Sequence, residues 1–521
     1  MRKIIIMCSI VLSLPALLAQ KYQYLEYQNE QIKKTDKYQS GNDYQKDFLL
    51  FMELLQTTHP AFAFKKDVPL NVDSLIKSGL KYLESCSTLA DFKFYLSSII
   101  APLRDGHTFV KLFQEDDYTL LYPIKIWVEE RIPYVQAIEK EHISVLGKQI
   151  ISINGLLIAD IYHKFSDIII AENVFFFEKQ LFEIILFPNI WSHIHQMRKD
   201  SLIQFVFNDK TSLYLEAKSR TDIKDIVFIE QKNKQSETKY NREIPFFYTI
   251  MEKEGLAYLQ FNECIDQNSI RQYHDNLGYT DENGNFPSDI EEQFQHYQKF
   301  DTLLLSLFNN IKLKNISTLV IDVRNNSGGN SELCRQLFSY LTSIDNHKTS
   351  NTLIRISDFF IQYYPELYDF LYKHSLKRLE KGQLYSNNDF SFEDDGVIEK
   401  FFKMNENTSL IFQGTTIFIQ GKNTYSAGGD LLIEARDNQI GIIIGENSTF
   451  RPCNFGDILF WKLPNTETTG GVSHKYFTRP NENNCNEDYL APDVFIQYTF
   501  KDYKNGIDPC WKWIINNFSK K

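Results

Sequence analysis

Between residues 43 and 100 apolar positions recur at the three- and four-residue spacing of a single helix face. Asp47-Phe48-Leu49-Leu50-Phe51-Met52-Glu53-Leu54-Leu55 is the clearest stretch, and His59-Pro60 stops it because proline cannot continue a helix. Val72 to Leu83 and Leu89 to Ile100 repeat the pattern, which predicts a small helical cap ending at Leu103-Arg104-Asp105-Gly106-His107-Thr108. From Tyr118 to about Lys218 the period drops to two. Ile124-Lys125-Ile126-Trp127-Val128 and Ile132-Pro133-Tyr134-Val135 read as strands. Gly147-Lys148-Gln149-Ile150-Ile151-Ser152-Ile153-Asn154-Gly155 reads as a strand entering a tight turn, with a helix near Ala159 to Phe165. Lys232 to Arg242 is polar and charged, a linker. Beyond it strands and helices alternate, the mark of an α/β domain. Gly255 to Phe261 is a strand, Ile290 to Ile311 a long amphipathic helix, and Thr318 to Val323 a buried strand. Ile417 to Gln420 and Ile442 to Gly445 are further strands, flanking a helix from about Ser426 to Arg436. The interval from about 354 to 402 is helical, aromatic and charged, and reads as an insertion near the site.

A chain of 521 residues exceeds one ordinary core, so several domains are expected. The first of them is not structural. Arg2 and Lys3 precede an apolar run from Ile4 to Leu18, and Ala19 offers a small residue for cleavage, the anatomy of a secretory signal peptide over residues 1–19. A retained membrane anchor is the alternative; no second apolar stretch is long enough to span, so no stable membrane span is expected after cleavage. The net charge of -11 excludes a general nucleic-acid binder, which needs a clustered basic surface. Beyond Cys8 six cysteines remain: Cys86, Cys264, Cys334, Cys453, Cys485 and Cys510. Without a C-x-x-C pair they indicate no zinc site; disulfides and buried free thiols both stay open.

Two constellations carry chemistry. In Asp322-Val323-Arg324-Asn325-Asn326-Ser327-Gly328-Gly329-Asn330 a buried strand stops and enters a glycine-bearing loop. Such a loop aims backbone N–H groups at a ligand, and without a Gly-Lys-Ser/Thr ending it is not a nucleotide P-loop. In Gly421-Lys422-Asn423-Thr424-Tyr425-Ser426-Ala427-Gly428-Gly429-Asp430-Leu431-Leu432 a strand gives way to a helix with Ser426 at its positive end. That suits a nucleophile whose tetrahedral intermediate is held by neighbouring N–H groups. For a serine in isolation, a plain helix cap explains the position equally well.

Taken together, Ile-Asp-Val-Arg-Asn-Asn-Ser-Gly-Gly resembles the D-x-R-x-N-x-G-G loop of the C-terminal-processing (tail-specific) serine peptidases. Thr-Tyr-Ser-Ala-Gly-Gly-Asp-Leu is similar to their nucleophile segment. Asp437-Asn438 and Ile442-Ile443-Ile444-Gly445-Glu446 match the stretch that follows it. The stretch from Gly147 to Gly155 resembles the G-D-x-I-x-x-I-N-G element of PDZ domains, without their carboxylate-binding loop. The resemblance covers roughly residues 45 to 515. It implies an α/β fold with a crotonase/ClpP-like catalytic domain, an N-terminal helical cap and a degenerate PDZ-like β module. The implied order is signal peptide 1–19, helical domain with the histidine motif 20–112, PDZ-like module 113–230, and peptidase domain 245–521 with an insertion at about 354–402.

The C-terminal-processing branch uses a Ser–Lys dyad, but here Arg451 stands where its lysine would be, and a guanidinium stays protonated. The base must come from elsewhere. Asp105-Gly106-His107-Thr108 resembles the histidine motif of tricorn-like relatives, which implies His107 as general base. Asn486-Glu487-Asp488-Tyr489-Leu490-Ala491-Pro492-Asp493 fits the position of their orienting carboxylate, with Glu487 favoured and Glu482 and Asp488 as alternatives. The other histidines, His59, His195 and His474 among them, carry no signal that separates them from structural ones.

The implied reaction is acyl transfer by Ser426, with Ala427 and Gly328 or Gly329 holding the oxyanion. The expected partner is a peptide or unfolded protein tail, in the periplasm or outside the cell, and the scheme needs no metal or organic cofactor. A catalytically silent binding protein of the same fold, for an apolar ligand or peptide, is the main alternative. A crotonase-type acyl-CoA enzyme fits less well with a signal peptide.

Overall fold

A computed structural model describes residues 24–64, 70–113, 119–195, 201–231, 244–276, 279–281, 284–343, 347–391 and 402–519. The expected signal peptide and the linker from Lys232 to Arg242 lie outside these residues, as does part of the insertion (392–401). The described residues divide into two compact units. The first takes those before 236 with Ile458–Ser473 and Thr499–Ile507; the second takes those from 244 to Asp457 with His474–Tyr498 and those from Asp508.

In the first unit the three anticipated helices form as Asp43–Thr58, Val72–Leu83 and Leu89–Ile100. Each start is specified locally. Asn42 and Gln45 make a capping box, while the side chains of Asn71 and Thr88 accept from Ser74 and Asp91 N–H groups. Ile124–Glu129 and Ile132–Glu139 pair antiparallel, and Ile226–Phe228 adds to the second of them. A separate sheet runs Leu156–Leu157, Ile150–Ile153, Ile203–Phe207, Ser212–Leu215. The helix expected after Gly155 is Ile158–Phe165.

The period-two reading from 118 to 218 misses two helices, Val174–Ile184 and Pro188–His193. Both are dense in Phe, Trp and Ile and bury on several faces, so neither shows a clean helical stripe. Nor does a boundary fall at 112: Phe94 of the third helix shares one core with Ile150, Phe165, Trp191 and Phe205. Distant chain completes the unit. Leu25–Glu26 runs parallel to Trp461–Lys462, Phe109–Val110 pairs with Gly470–Gly471, and buried Asp47 accepts from the N–H groups of Asn465 (3.2 Å) and Thr466 (2.6 Å).

The second unit is built on a six-stranded sheet ordered Phe246–Met251, Leu256–Phe261, Thr318–Asp322, Thr415–Gln420, Ile442–Gly445, Val494–Phe495. Only the first pair is antiparallel; the rest run parallel. Leu256–Phe261 and Thr318–Asp322 are buried along their whole length, which is why they read as continuous apolar runs rather than alternating ones.

The long helix expected from Ile290 to Ile311 is broken into Ser288–Phe294 and Phe300–Leu313. Asp266 supplies the physical reason: its carboxylate accepts from the Phe300 N–H at 3.1 Å, starting a new helix there. The insertion is not purely helical either. Asp358–Tyr363 and Pro365–His374 are helices, but the strand Asn351–Arg355 precedes them and pairs with Leu384–Ser386 on one side and with residues 475–478 on the other. Cys453 and Cys485 form a disulfide; Cys86, Cys264, Cys334 and Cys510 are free thiols.

Candidate active site

The strand Thr318–Asp322 delivers a charged anchor at its end. Asp322 accepts from Arg324 Nε and Nη2 and from the Tyr258 hydroxyl at 2.8 Å, and Arg324 Nη2 also reaches Asp508 at 2.7 Å. Burial works against the guanidinium's charge, but the two carboxylates outweigh it and hold its pKa well above the ordinary value. Asn326 then ties the loop down. Its Nδ2 donates to Phe261 O at 3.0 Å, and its carbonyl accepts from Tyr425 N–H at 2.8 Å. Thr424 Oγ1 donates to Val323 O at 2.7 Å, so the two glycine loops are stitched together by backbone and hydroxyl bonds.

Glycine is required at Gly328 and Gly329. Their φ values are +108° and +129°, where L side chains are strained. A Cβ at 328 would sit 2.7 Å from Ser426 Cβ, and one at 329 would sit 2.4 Å from Cys264 O. The first loop therefore passes directly against the serine.

Ser426 itself has φ 51° and ψ −131°, a conformation that strains any residue but glycine. It precedes the helix Ala427–Asp437, yet its side chain makes no cap; its carbonyl accepts from Gly429 and Asp430 N–H at 2.7 and 2.9 Å. The plain helix-cap explanation for this serine is thereby removed.

Of the oxyanion donors anticipated from the sequence, one already has a partner. The Gly328 N–H donates to Asn326 Oδ1 at 2.9 Å, so it is committed within its own loop. Ala427 opens the helix beside Ser426, and its N–H, like that of Gly329, donates to no group among the described residues.

The late acidic segment is occupied by a different network. Arg479, 2% exposed, donates to Asp437 through Nε (2.9 Å) and to Glu487 Oε2 through Nη1 (2.7 Å). Glu482 accepts from the Thr478 hydroxyl at 3.0 Å, and Asp488 lies 3.8 Å from Arg451. Arg451, at the lysine position of the dyad branch, thus faces an acid.

His107 belongs to the first unit and is set by a turn that starts with Arg104 in a left-handed conformation. Asp105, 1% exposed, is the hub. Its Oδ1 accepts from the His107 N–H at 2.9 Å, and its Oδ2 lies 3.0 Å from His59 Nε2. His59 Nδ1 accepts from Ala61 N–H, so the ring proton sits on Nε2 and donates to Asp105. Burial pushes the Asp105 carboxyl up, but His59, His107 and Thr108 together hold it at about 2.

Glu172, 1% exposed, flanks the same ring. His107 Nδ1 is 3.8 Å from Asp105 Oδ1 and 3.9 Å from Glu172 Oε1. Sequence reasoning quoted Asp105 without giving it a role, left His59 among structural histidines, and had no signal for Glu172, which sits between Ala171 and Asn173 with no motif around it. A cavity of about 110 Å³ adjoins Gly106 and Thr108, walled by Phe109, Leu112, Phe113, Ile168, Phe176 and Ile184.

Residues 290–496 match the model of peptidase family S41. No curated protein sequence matches the chain significantly. Among solved structures the chain is similar to mature CPAF complexed with lactacystin, at 13% identity and a TM-score of 0.56, over 91% of this chain and 99% of that one. Mature CPAF alone matches at 12% identity and a TM-score of 0.55, over 91% and 95%. At such identities the likeness concerns the fold. The photosystem II D1 C-terminal processing protease matches at 12% identity and a TM-score of 0.40, over 88% and 94%. The stretch that carries Ser426 and both glycine loops is therefore the part of the chain that matches peptidase family S41.

Proposed function

We propose that this peptidase hydrolyses peptide bonds through an acyl-enzyme on Ser426, with His107 as general base. The conformation of Ser426 carries the reading: a strained serine at the start of an 11-residue helix, its hydroxyl not used as a cap, pressed against a glycine loop. Ser426 Oγ attacks the scissile carbonyl as His107 Nε2 accepts its proton. The N–H groups of Ala427 and Gly329 hold the developing oxyanion, and the protonated ring then gives its proton to the leaving amine. Water activated by the same ring releases the acyl group.

In this scheme His107 Nδ1, 3.8 Å from Asp105 Oδ1 and 3.9 Å from Glu172 Oε1, keeps the ring proton and Nε2 is the accepting nitrogen. The orienting acid is assigned to Glu487 by its position in the late Pro-Asp segment. Glu172 competes for the role because it already lies beside the ring, whereas Glu487 is engaged by Arg479. Substrates are peptides or protein tails. The module at 113–230, PDZ-like in its stretch from Gly147 to Gly155, is assigned to holding them, and the apolar cavity beside Thr108 suits an aliphatic or aromatic side chain. No helix among the described residues is long and apolar enough to cross a membrane, and export rests on the N-terminal segment.

The test is labelling of the full chain with a fluorophosphonate, alongside Ser426→Ala and His107→Ala. An adduct on the wild type and on neither variant is the expected result. An adduct that survives His107→Ala would remove the histidine from the mechanism; none on folded wild type would favour the silent binding protein.

A further inference from the structure

Asp105, His107 and Glu172 bring one imidazole and two carboxylates to a single point of the first unit. The gaps from His107 Nδ1 of 3.8 Å to Asp105 Oδ1 and 3.9 Å to Glu172 Oε1 are too long for hydrogen bonds. They are close to the edge of a tetrahedron of ligands at about 2.1 Å from one ion, roughly 3.4 Å. One ligand atom from each of Asp105, His107 and Glu172 falls within a sphere of mutual distances no greater than 4.8 Å. All three residues are buried, at 1%, 8% and 1% exposure, so an ion there would lose little affinity to water competition.

Two carboxylates and one imidazole form a donor set suited to zinc or another divalent first-row ion, with a fourth position left for water. The supporting contacts are of the kind that fixes ligands. His59 donates to the second oxygen of Asp105, and the Arg104 guanidinium donates to the Glu172 carbonyl at 2.8 Å.

We infer that Asp105, His107 and Glu172 bind a divalent transition-metal ion, zinc foremost, which switches the peptidase off. The site stands on geometry alone, while its consequence for catalysis rests on the reading of His107 as base. A neutral imidazole has one ring proton. An ion on Nδ1 takes that nitrogen's lone pair, so the proton moves through solvent to Nε2. Nε2 then has no lone pair with which to accept the Ser426 proton, and no bond in the protein is made or broken in the switch. The ion is an inhibitor, distinct from a cofactor, and chelation restores the base.

The experiment uses the full chain after chelator treatment, titrated with Zn²⁺ against a chromophoric competitor, with fluorophosphonate labelling followed in parallel. The expected result is one ion per chain bound with a dissociation constant below about 10 μM, weakened about tenfold or more in both Glu172→Gln and His107→Ala. Wild-type labelling should fall as the site fills and return with chelator. A zinc-dependent rise in the melting temperature of wild type, absent from both variants, guards against variants that bind nothing because they fail to fold. Equal binding by wild type and both variants, or no binding in this range, overturns the site. Zinc bound at this site with labelling undiminished supports the site but overturns its inhibitory role and His107 as base. Absent labelling in metal-free wild type counts against the serine mechanism and leaves the binding result to decide the site.

Discussion

If Ser426 is held in a strained conformation for chemistry, glycine at that position should make the protein more stable and inactive at once. An L-residue at φ 51°, ψ −131° carries about 1–3 kcal/mol of backbone strain, which glycine does not. Against that, glycine in place of alanine loosens the unfolded chain, costing about 0.5–1 kcal/mol. The Ser426 side chain makes no cap, so neither replacement forfeits the cap energy of about 1 kcal/mol that a helix-starting serine usually contributes. Alanine keeps the Cβ and the strain; glycine removes both. The balance favours Ser426→Gly over Ser426→Ala by about 1 kcal/mol, or roughly 2–4 °C in the transition of the unit that carries it. Calorimetry of the two variants at one scan rate measures the difference, with fluorophosphonate labelling absent from both. Equal melting temperatures, or a more stable alanine variant, would show that no strain is stored at 426 and would remove the main physical argument for this serine as nucleophile.

Arg479→Ala leaves Asp437, 3% exposed at its side chain, without its bidentate partner, and should destabilise the second unit by about 3–5 kcal/mol in urea titrations. Burial, opposed in part by Asp457, lowers the His474 pKa from 6.5 to about 4. In that window the unfolded chain holds the extra proton, so stability should fall by about 3 kcal/mol as pH drops from 6.5 to 4, and His474→Gln, which retains a donor for Asp457 O, should flatten that slope. Of Glu487→Gln and Glu172→Gln, the variant that lowers kcat by about 10⁴-fold identifies the acid that orients the ring, and the other should stay within about tenfold. Reducing Cys453–Cys485, 32 residues apart in sequence, should cost about 3–4 kcal/mol of chain-entropy stabilisation, read as a lowered melting temperature in dithiothreitol.

What could be seen in the sequence, and what could not, follows from how far away each determinant lies. The Asp43–Thr58 helix was legible because its stripe and its terminating Pro60 are neighbours in the sequence. The parallel strands were legible because burial on both faces leaves an unbroken apolar run. The break before Phe300 was not, because the cap belongs to Asp266, 34 residues earlier and across a loop. The same rule divides the site. Ser426, Gly328 and Gly329 declare themselves because the turn each sits in is written in its own neighbours. That the Gly328 N–H is committed to Asn326 Oδ1 cannot be read from the residue types, since the same loop could aim it outward. Glu172 and His59 become visible only when the fold gathers them around Asp105. His107 lies well before the stretch that matches the peptidase family, so that match covers the serine and its glycine loops and does not reach the histidine. On the proposed scheme, a base set among buried carboxylates would also be a place where a metal ion competes for its ring nitrogen.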